Sequence, residues 1–180
     1  MGTIENFFDT WDGTSHEKGK FFESQLRDWF QYNPVWSDLV DKVWLWDDWP
    51  KRWSRDKGID LVILSKSGEY WAVQAKAWAP DTNLTFRECA TFLAETNRAI
   101  FSSRILATTS NSLSKDLRDT ILGQPDTKPV VVLLNTDLSR GDFDWFQSHT
   151  AALEESPPKQ TRTPKRYQIE AVKEALDHFD

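Results

Sequence analysis

The sequence predicts an α/β fold in which a mixed sheet, antiparallel at first and parallel afterwards, is flanked by helices. Three observations carry that prediction. Two β-rich segments, 59–65 and 69–77, flank Lys66-Ser67-Gly68, a three-residue connection with Gly where a hairpin loop needs the left-handed region. Beyond the hairpin, helical and strand-like segments alternate, and helical crossovers favour parallel neighbours with right-handed connections. The run Val130-Val131-Val132-Leu133-Leu134 is apolar on both faces, as expected of a strand covered by helices on both sides.

Each element has its own local signal. Residues 15–30 read as a helix, because Phe21, Phe22, Leu26, Trp29 and Phe30 recur at three- and four-residue spacing among charged residues. Ser15 is the candidate N-cap, and Asn33-Pro34 ends the segment. A short helix is expected over 35–40, then a strand over 42–46 and a charged loop over 47–57 containing Pro50. After the hairpin, Phe86, Ala90, Leu93 and Ala94 set a helical period over 83–101. Residues 104–109 read as a strand, 112–122 as a helix and 129–135 as a strand.

Composition excludes several classes. The 180 residues include 28 acidic and 22 basic side chains, so the formal net charge is −6 and no general coat of positive charge awaits nucleic acid. One cysteine, Cys89, permits neither an internal disulfide nor a cysteine-rich zinc site. His16, His149 and His178 lie far apart, without metal-ligand spacing. No apolar run reaches the roughly 18 to 20 residues that span a bilayer, and residues 1–12 are too polar for a secretory signal. An intracellular, reducing compartment is the default for such a chain. Ten tryptophans demand burial, stacking partners or an interface.

The hairpin carries the chemistry. With Lys66-Ser67-Gly68 as its loop, Ser65 lies opposite Glu69 and, counting back, Asp60 lies opposite Gln74. Directly opposed side chains have Cβ atoms roughly 5 Å apart. Alternation puts Lys76 on the same face as Gln74. A carboxylate, an amide and an ammonium thus converge at the end of a face otherwise made by Val62, Leu64, Tyr70 and Ala72. Buried charges cost several kcal/mol unless paired or metal-bound. Phosphodiester hydrolysis uses such a trio: a hard cation with oxygen ligands and a positioned water. Asp60 supplies a charged oxygen, the Gln74 amide and the Ala75 main-chain carbonyl supply neutral ones, and Lys76 orients the water or stabilises developing charge. Glu23 on the first helix is the candidate for the second ligand charge. A plain cross-strand ion pair between Asp60 and Lys76, worth about 0 to 1 kcal/mol, is equally compatible with the pattern, as is a solvated Glu23.

These residues carry a resemblance. Gly58-Ile59-Asp60-Leu61-Val62 and Ala72-Val73-Gln74-Ala75-Lys76 are similar to the Asp and Gln-x-Lys motifs of Mrr-like nucleases of the PD-(D/E)xK superfamily. The wider stretch, from Lys18-Gly19-Lys20-Phe21-Phe22-Glu23 through Val43 to Pro50 and on to Asp60, resembles the N-terminal nuclease domain of type ISP restriction-modification enzymes and related helicase-nucleases. Thr108-Thr109 and Asp144-Trp145-Phe146 fit the same pattern. The resemblance implies a restriction-endonuclease-like fold and DNA hydrolysis with Mg²⁺, for which Mn²⁺ is a possible substitute. It makes Asp60, Gln74, the Ala75 carbonyl and Glu23 the metal ligands, with Lys76 the catalytic lysine. It also implies a bacterial, cytoplasmic enzyme with no membrane association. The alternative is a catalytically inactive module of the same fold, used for docking or DNA contact beside a helicase.

The tail extends the resemblance. Residues 1–152 are expected to form the nuclease domain and 153–163 a linker containing Pro157-Pro158. Residues 164–180 then begin a helicase domain, capped by Thr163 and with Pro164 at the first helical position. Arg166-Tyr167-Gln168-Ile169-Glu170 is similar to the adenine-recognising Gln motif of superfamily-two helicases, so Gln168 is expected to contact adenine in a longer protein. No Gly-rich Lys-Ser/Thr phosphate loop occurs in these residues, so ATP would be used only through that helicase domain. Helicase, methyltransferase and target-recognition domains of the same chain are the implied partners besides DNA. Of the weaker candidates, the Thr108-Thr109-Ser110-Asn111 hydroxyls either touch DNA phosphates or close a strand end, and Trp49 and Trp53 are compatible with core, DNA contact or interface.

Overall fold

The computed structural model describes residues 3–4, 12–55 and 57–145. The expected linker, the helicase segment with Gln168, and Phe146 lie outside the described residues.

Helix α1 spans Ser15–Tyr32. Its cap is Thr14 rather than Ser15: the Thr14 N–H donates to the Glu17 carboxylate at 2.8 Å, and the Glu17 N–H returns a bond to the Thr14 hydroxyl at 3.2 Å. Asn33 closes the helix in an extended conformation before Pro34. Strand β1 (Val40–Leu45) follows a single 3-10 turn at Trp36–Asp38. The helix expected over 35–40 is therefore one turn, and β-branched Val40 already belongs to the sheet. Trp46–Asp48 form a second 3-10 turn where a strand end was expected.

The hairpin forms as the sequence predicts. Strands β2 (Leu61–Ser65) and β3 (Tyr70–Lys76) pair antiparallel with Leu61 opposite Val73, and Gly68 takes φ +89° in the loop. After β3, the expected 83–101 helix divides. Asn83–Leu84 is a short strand, β4; helix α2 covers only Phe86–Glu95; strand β5 begins at Phe101 and runs to Thr108. Thr85 and Glu88 form a capping interaction, with the Thr85 N–H donating to the Glu88 carboxylate at 2.7 Å, and this forces the start to residue 86. At the other end the Thr96 hydroxyl bonds the Phe92 carbonyl at 2.6 Å and the chain turns. Ser112–Leu113 is likewise a short strand, β6, before helix α3 (Lys115–Leu122), because Ser114 is the cap. Strand β7 (Val130–Leu133) and a short helix α4 (Asn135–Leu138) follow.

The main sheet has the order β1-β2-β3-β5-β7, antiparallel from β1 to β3 and parallel from β3 to β7, and β4 pairs with β6 in a separate two-stranded ribbon. Alternation divides the core between two faces. On one, Leu61, Ile63, Val73, Ile105 and Ala107 pack against Phe22, Leu26, Trp29 and Phe30 of α1. On the other, Val62, Ala72 and Leu106 lie with Phe92 and Cys89 of α2 and Leu117 of α3. Trp145 is 2% exposed and stacks near Phe22 and Trp29, at 6.1 and 6.2 Å between ring centroids. No helix among the described residues is long and apolar enough to cross a membrane.

Candidate active site

Burial of tryptophan fixes the segment that delivers Asp60. Trp49 is 1% exposed and sits 5.5 Å from both the Trp46 and Phe101 rings. Trp53 meets the Trp46 ring edge-on at 5.0 Å, donates its indole N–H to Glu95 at 3.3 Å and carries the Arg98 guanidinium 4.2 Å over its ring. Lys57 also reaches Glu95, at 3.5 Å. Trp49 is therefore core, and the loop before β2 is tied to α2 rather than left as a solvated arm.

Gly58 turns this segment into the strand with φ +66°, a conformation that costs L side chains roughly 1–2 kcal/mol. A Cβ there would lie 3.1 Å from the Phe92 main-chain nitrogen and 3.4 Å from Gln74 Nε2. Gly58→Ala is therefore expected to destabilise the fold by about 1–3 kcal/mol. Denaturant unfolding measures it; an unchanged midpoint would show that the turn relaxes freely.

The site forms where β2 begins and β3 ends. The Asp60 N–H donates to the Val73 carbonyl at 2.9 Å, and one carboxylate oxygen accepts the Ala75 N–H at 2.7 Å. The N–H and C=O of one strand residue lie on the same edge, so the Ala75 carbonyl points toward the Asp60 side as well. Gln74 is 2% exposed, and its Oε1 has no hydrogen-bond partner among the described residues. Leaving a buried amide oxygen unmade costs about 1–3 kcal/mol.

Glu23 comes from α1, on the opposite wall. Its carboxylate pairs with Lys20 at 2.9 Å and is 14% exposed. Burial, and then the negative charge of Glu23, push the Asp60 carboxyl up to about 7, against the Ala75 N–H, Lys76 and Lys20, which pull it down. The four charged groups Asp60, Glu23, Lys76 and Lys20 thus act on one another. Asp60 and Lys76 make no direct ion pair: the bonding partner of Asp60 is the Ala75 main chain. Burial pushes the Cys89 thiol up to about 12, with Lys76 opposing, so Cys89 is a closed-off core residue beside the lysine.

The donor set suits a hard cation. No group of three or more His, Cys, Asp and Glu side chains gathers among the described residues. An ion here would take two carboxylates, Asp60 and Glu23, and complete its shell from neutral oxygens. The partnerless Gln74 Oε1 and the Ala75 carbonyl are such oxygens, and a cation ligated by Gln74 Oε1 would satisfy the buried amide.

The Thr108-Thr109-Ser110 hydroxyls do not face outward. They are 0% exposed and bond main-chain carbonyls: Thr108 to Lys76 at 3.0 Å, Thr109 to Trp78 at 2.6 Å, and Ser110 to Thr82. They staple the segment after Lys76 to the end of β5. Sequence reading missed Lys20 in the charge cluster, although its three-residue spacing from Glu23 on α1 was a visible signal.

A mixed five-stranded sheet with helices on both faces, and an Asp and a Gln-x-Lys meeting at one end of its hairpin, defines a restriction-endonuclease-like fold. The chain belongs to the restriction endonuclease family whose model (Mrr_cat_2) matches residues 31–155. That span holds Asp60, Gln74 and Lys76 and leaves Glu23 outside it. Among solved structures, the chain is similar to "ATP-dependent Type ISP restriction-modification enzyme LlaBIII bound to DNA", with TM-score 0.68 and 23% identity over 99% of this chain and 11% of that one. The chain thus spans 11% of the length of that relative. Lower similarity links it to the MspJI restriction endonuclease in complex with a 27-mer oligonucleotide (TM-score 0.47, 19% identity, 76% and 29% covered). A third match is the DNA modification-dependent restriction endonuclease AspBHI (TM-score 0.42, 17% identity, 71% and 35% covered). No curated protein matches.

Proposed function

We propose that this chain is a divalent-metal-dependent endodeoxyribonuclease domain of a longer, ATP-dependent restriction-modification enzyme of type ISP character. The partnerless, buried Gln74 Oε1, one residue before the Ala75 N–H that the Asp60 carboxylate accepts, carries this reading. Asp60, Glu23, Gln74 and the Ala75 carbonyl hold Mg²⁺, with Mn²⁺ as a substitute. The bound ion supplies charge neutralisation at the phosphodiester and a more acidic water. Lys76, at the end of β3, stabilises the negative charge that develops on the phosphate oxygens. Burial and Glu23 raise the Asp60 carboxyl, so a cation that compensated both carboxylates would make its proton easier to lose.

Residues 1–152 would form the cutting domain, followed by a 153–163 linker and a helicase beginning at 164, where Gln168 meets adenine. In a chain of formal charge −6, the domain depends on its attached helicase, methyltransferase and target-recognition parts to bring DNA to it. The bacterial cytoplasm is the compartment such an enzyme implies.

Plasmid nicking with Mg²⁺ and ATP by the longer enzyme tests this reading. Gln74→Glu is expected to retain cleavage within about tenfold of the parent, because it keeps an oxygen ligand, whereas Gln74→Ala loses about a hundredfold or more. Equal losses in both variants, or nicking that persists in EDTA, would count against the ligand set. Full retention of ATP hydrolysis without any nicking in the parent would favour the inactive docking module.

A further inference from the structure

A cleft with a basic rim opens at the same end of the sheet. It has a volume of about 480 Å³ and is lined by Asn83, Asn111, Ser112, Lys115 and Arg118, with Leu113 and Leu134 at its sides. Its walls grow directly from the site. Asn83 follows β3 through the short 77–82 segment, and Asn111 follows β5 by three residues. Lys76 is paired with Thr108 in the parallel ladder. Three residues span no more than about 11 Å, so the Asn111 backbone lies within that distance of Thr108.

The cleft is built and held. The Asn111 N–H donates to the Pro80 carbonyl at 3.0 Å, and the Ser114 N–H to the Leu84 carbonyl at 2.8 Å. The Ser112 hydroxyl bonds the Asn83 side chain. The buried Ser110 hydroxyl accepts the Ser112 N–H at 3.1 Å, which fixes the turn between β5 and β6.

Its charge has one sign. Lys115 and Arg118 are one turn apart on α3, both exposed, and no carboxylate among the described residues lines the cleft. Neither cation is committed to an ion pair among the described residues, whereas the exposed Lys20, Arg52, Arg98 and Arg140 each are. In a chain of net charge −6, Lys115 and Arg118 place two positive charges over amides and hydroxyls at the end of the sheet that carries Lys76.

We propose that this cleft binds the sugar-phosphate backbone of the DNA strand that continues beyond the scissile phosphodiester. The proposal rests on the nuclease reading above for its direction, since Lys76 marks the point of cleavage. Lys115 and Arg118 neutralise phosphates, and the Asn111 amide offers hydrogen bonds to phosphate and sugar oxygens, contacts that position the duplex without reading its sequence.

The test measures binding of a fluorescent DNA duplex to the longer enzyme in EDTA, where cleavage does not occur, at salt concentrations between about 50 and 200 mM. Each phosphate neutralised adds about 0.9 to the slope of log affinity against log salt. The double variant Lys115→Gln/Arg118→Gln is expected to reduce the slope by about 1.8 and the affinity at about 0.1 M salt by tenfold or more. Lys66→Gln, at the hairpin loop on the far end of β2 and β3, is expected to change neither. Arg118→Lys is expected to keep the slope, which separates charge from folding, and circular dichroism checks the fold of every variant. The proposal is overturned if the double variant binds with the parent's slope and affinity, if Lys66→Gln produces the same loss, or if the parent shows no binding at the lowest salt. In those cases the cleft is left to another part of a longer protein. Because the readout needs no metal, a failed cleft and a failed catalytic assignment give different results: the second shows itself as cleavage that survives Asp60→Ala.

Discussion

Asp60→Ala is expected to abolish DNA cleavage, and Lys76→Ala to lower it by about a hundred- to a thousandfold, in plasmid nicking by the longer enzyme with Mg²⁺ and ATP. The two losses have different origins. Asp60 contributes the carboxylate that sits deepest, held by the Ala75 N–H at 2.7 Å, and Glu23 approaches it from α1. Without Asp60 the remaining donors carry a single negative charge, too little to draw a divalent ion out of water. A bound cation is worth several kcal/mol to a developing phosphorane-like charge, so a loss of about a thousandfold or more follows from Asp60→Ala. Lys76→Ala leaves both carboxylates in place. Metal binding should therefore persist in that variant while turnover falls, a separation that a merely structural role for Lys76 would not give. Since the ladder from Leu61 to Leu64 does not depend on either side chain, both proteins should fold and retain ATP hydrolysis. Cleavage at the parent's rate in either variant would sink the assignment of that residue.

The hairpin was legible because two constraints agree on it. Gly68 admits the left-handed turn, and the period-two pattern fixes which residues oppose one another, so the pairing of Leu61 with Val73, and with it Asp60 at the Val73–Ala75 end of β3, follows from counting. The parallel half was legible from the doubly apolar Val130-Val131-Val132 run. Helix starts were read less well, although the signals were present. Thr14-x-x-Glu17 and Thr85-x-x-Glu88 are both capping patterns, and in each case hydrophobic periodicity drew the start to another residue. The β4–β6 ribbon carries no signal of its own. Two residues per strand are too few for alternation, and they are extended because Ser114 and Thr85 both cap helices immediately afterwards. At the site, the sequence offers residue types and the hairpin register. It does not offer the approach of α1, a tertiary contact made by Phe22 and Leu26 against Leu61 and Val73. Nor does it reveal that Thr108 and Thr109 spend their hydroxyls on the carbonyls of Lys76 and Trp78. Trp49, ambiguous in sequence, is resolved by packing: its ring is enclosed by Trp46, Tyr70 and Phe101.

Asp60→Asn is expected to stabilise the metal-free protein at alkaline pH, even as it removes activity. In the unfolded chain the carboxyl titrates near 3.8, whereas in the fold burial, and then Glu23, lift it to about 7. Below 3.8 both states hold the proton and the group has no effect on stability relative to an uncharged side chain. As pH rises from about 4 to 7 the unfolded chain releases the proton while the folded chain keeps it, so stability declines through this window and levels off above it. The ionised carboxylate then costs the fold up to about 4 kcal/mol, and water penetration and side-chain relaxation reduce the measured figure. Asparagine presents a carbonyl oxygen to the same Ala75 N–H without the charge. At pH 8 the variant should therefore unfold several degrees above the parent, at about 2–4 °C per kcal/mol for a chain of this size, and the gap should close near pH 4. Mg²⁺ should oppose the effect in the parent by compensating Asp60 and Glu23 together, raising its thermal midpoint at pH 8 with increasing concentration. The Asn variant, with one carboxylate left, should gain much less. A parent whose midpoint at pH 8 ignores Mg²⁺, or an Asp60→Asn protein less stable than the parent there, would mean that the strain at Asp60 is relieved within the fold itself and that no cation site is held in waiting.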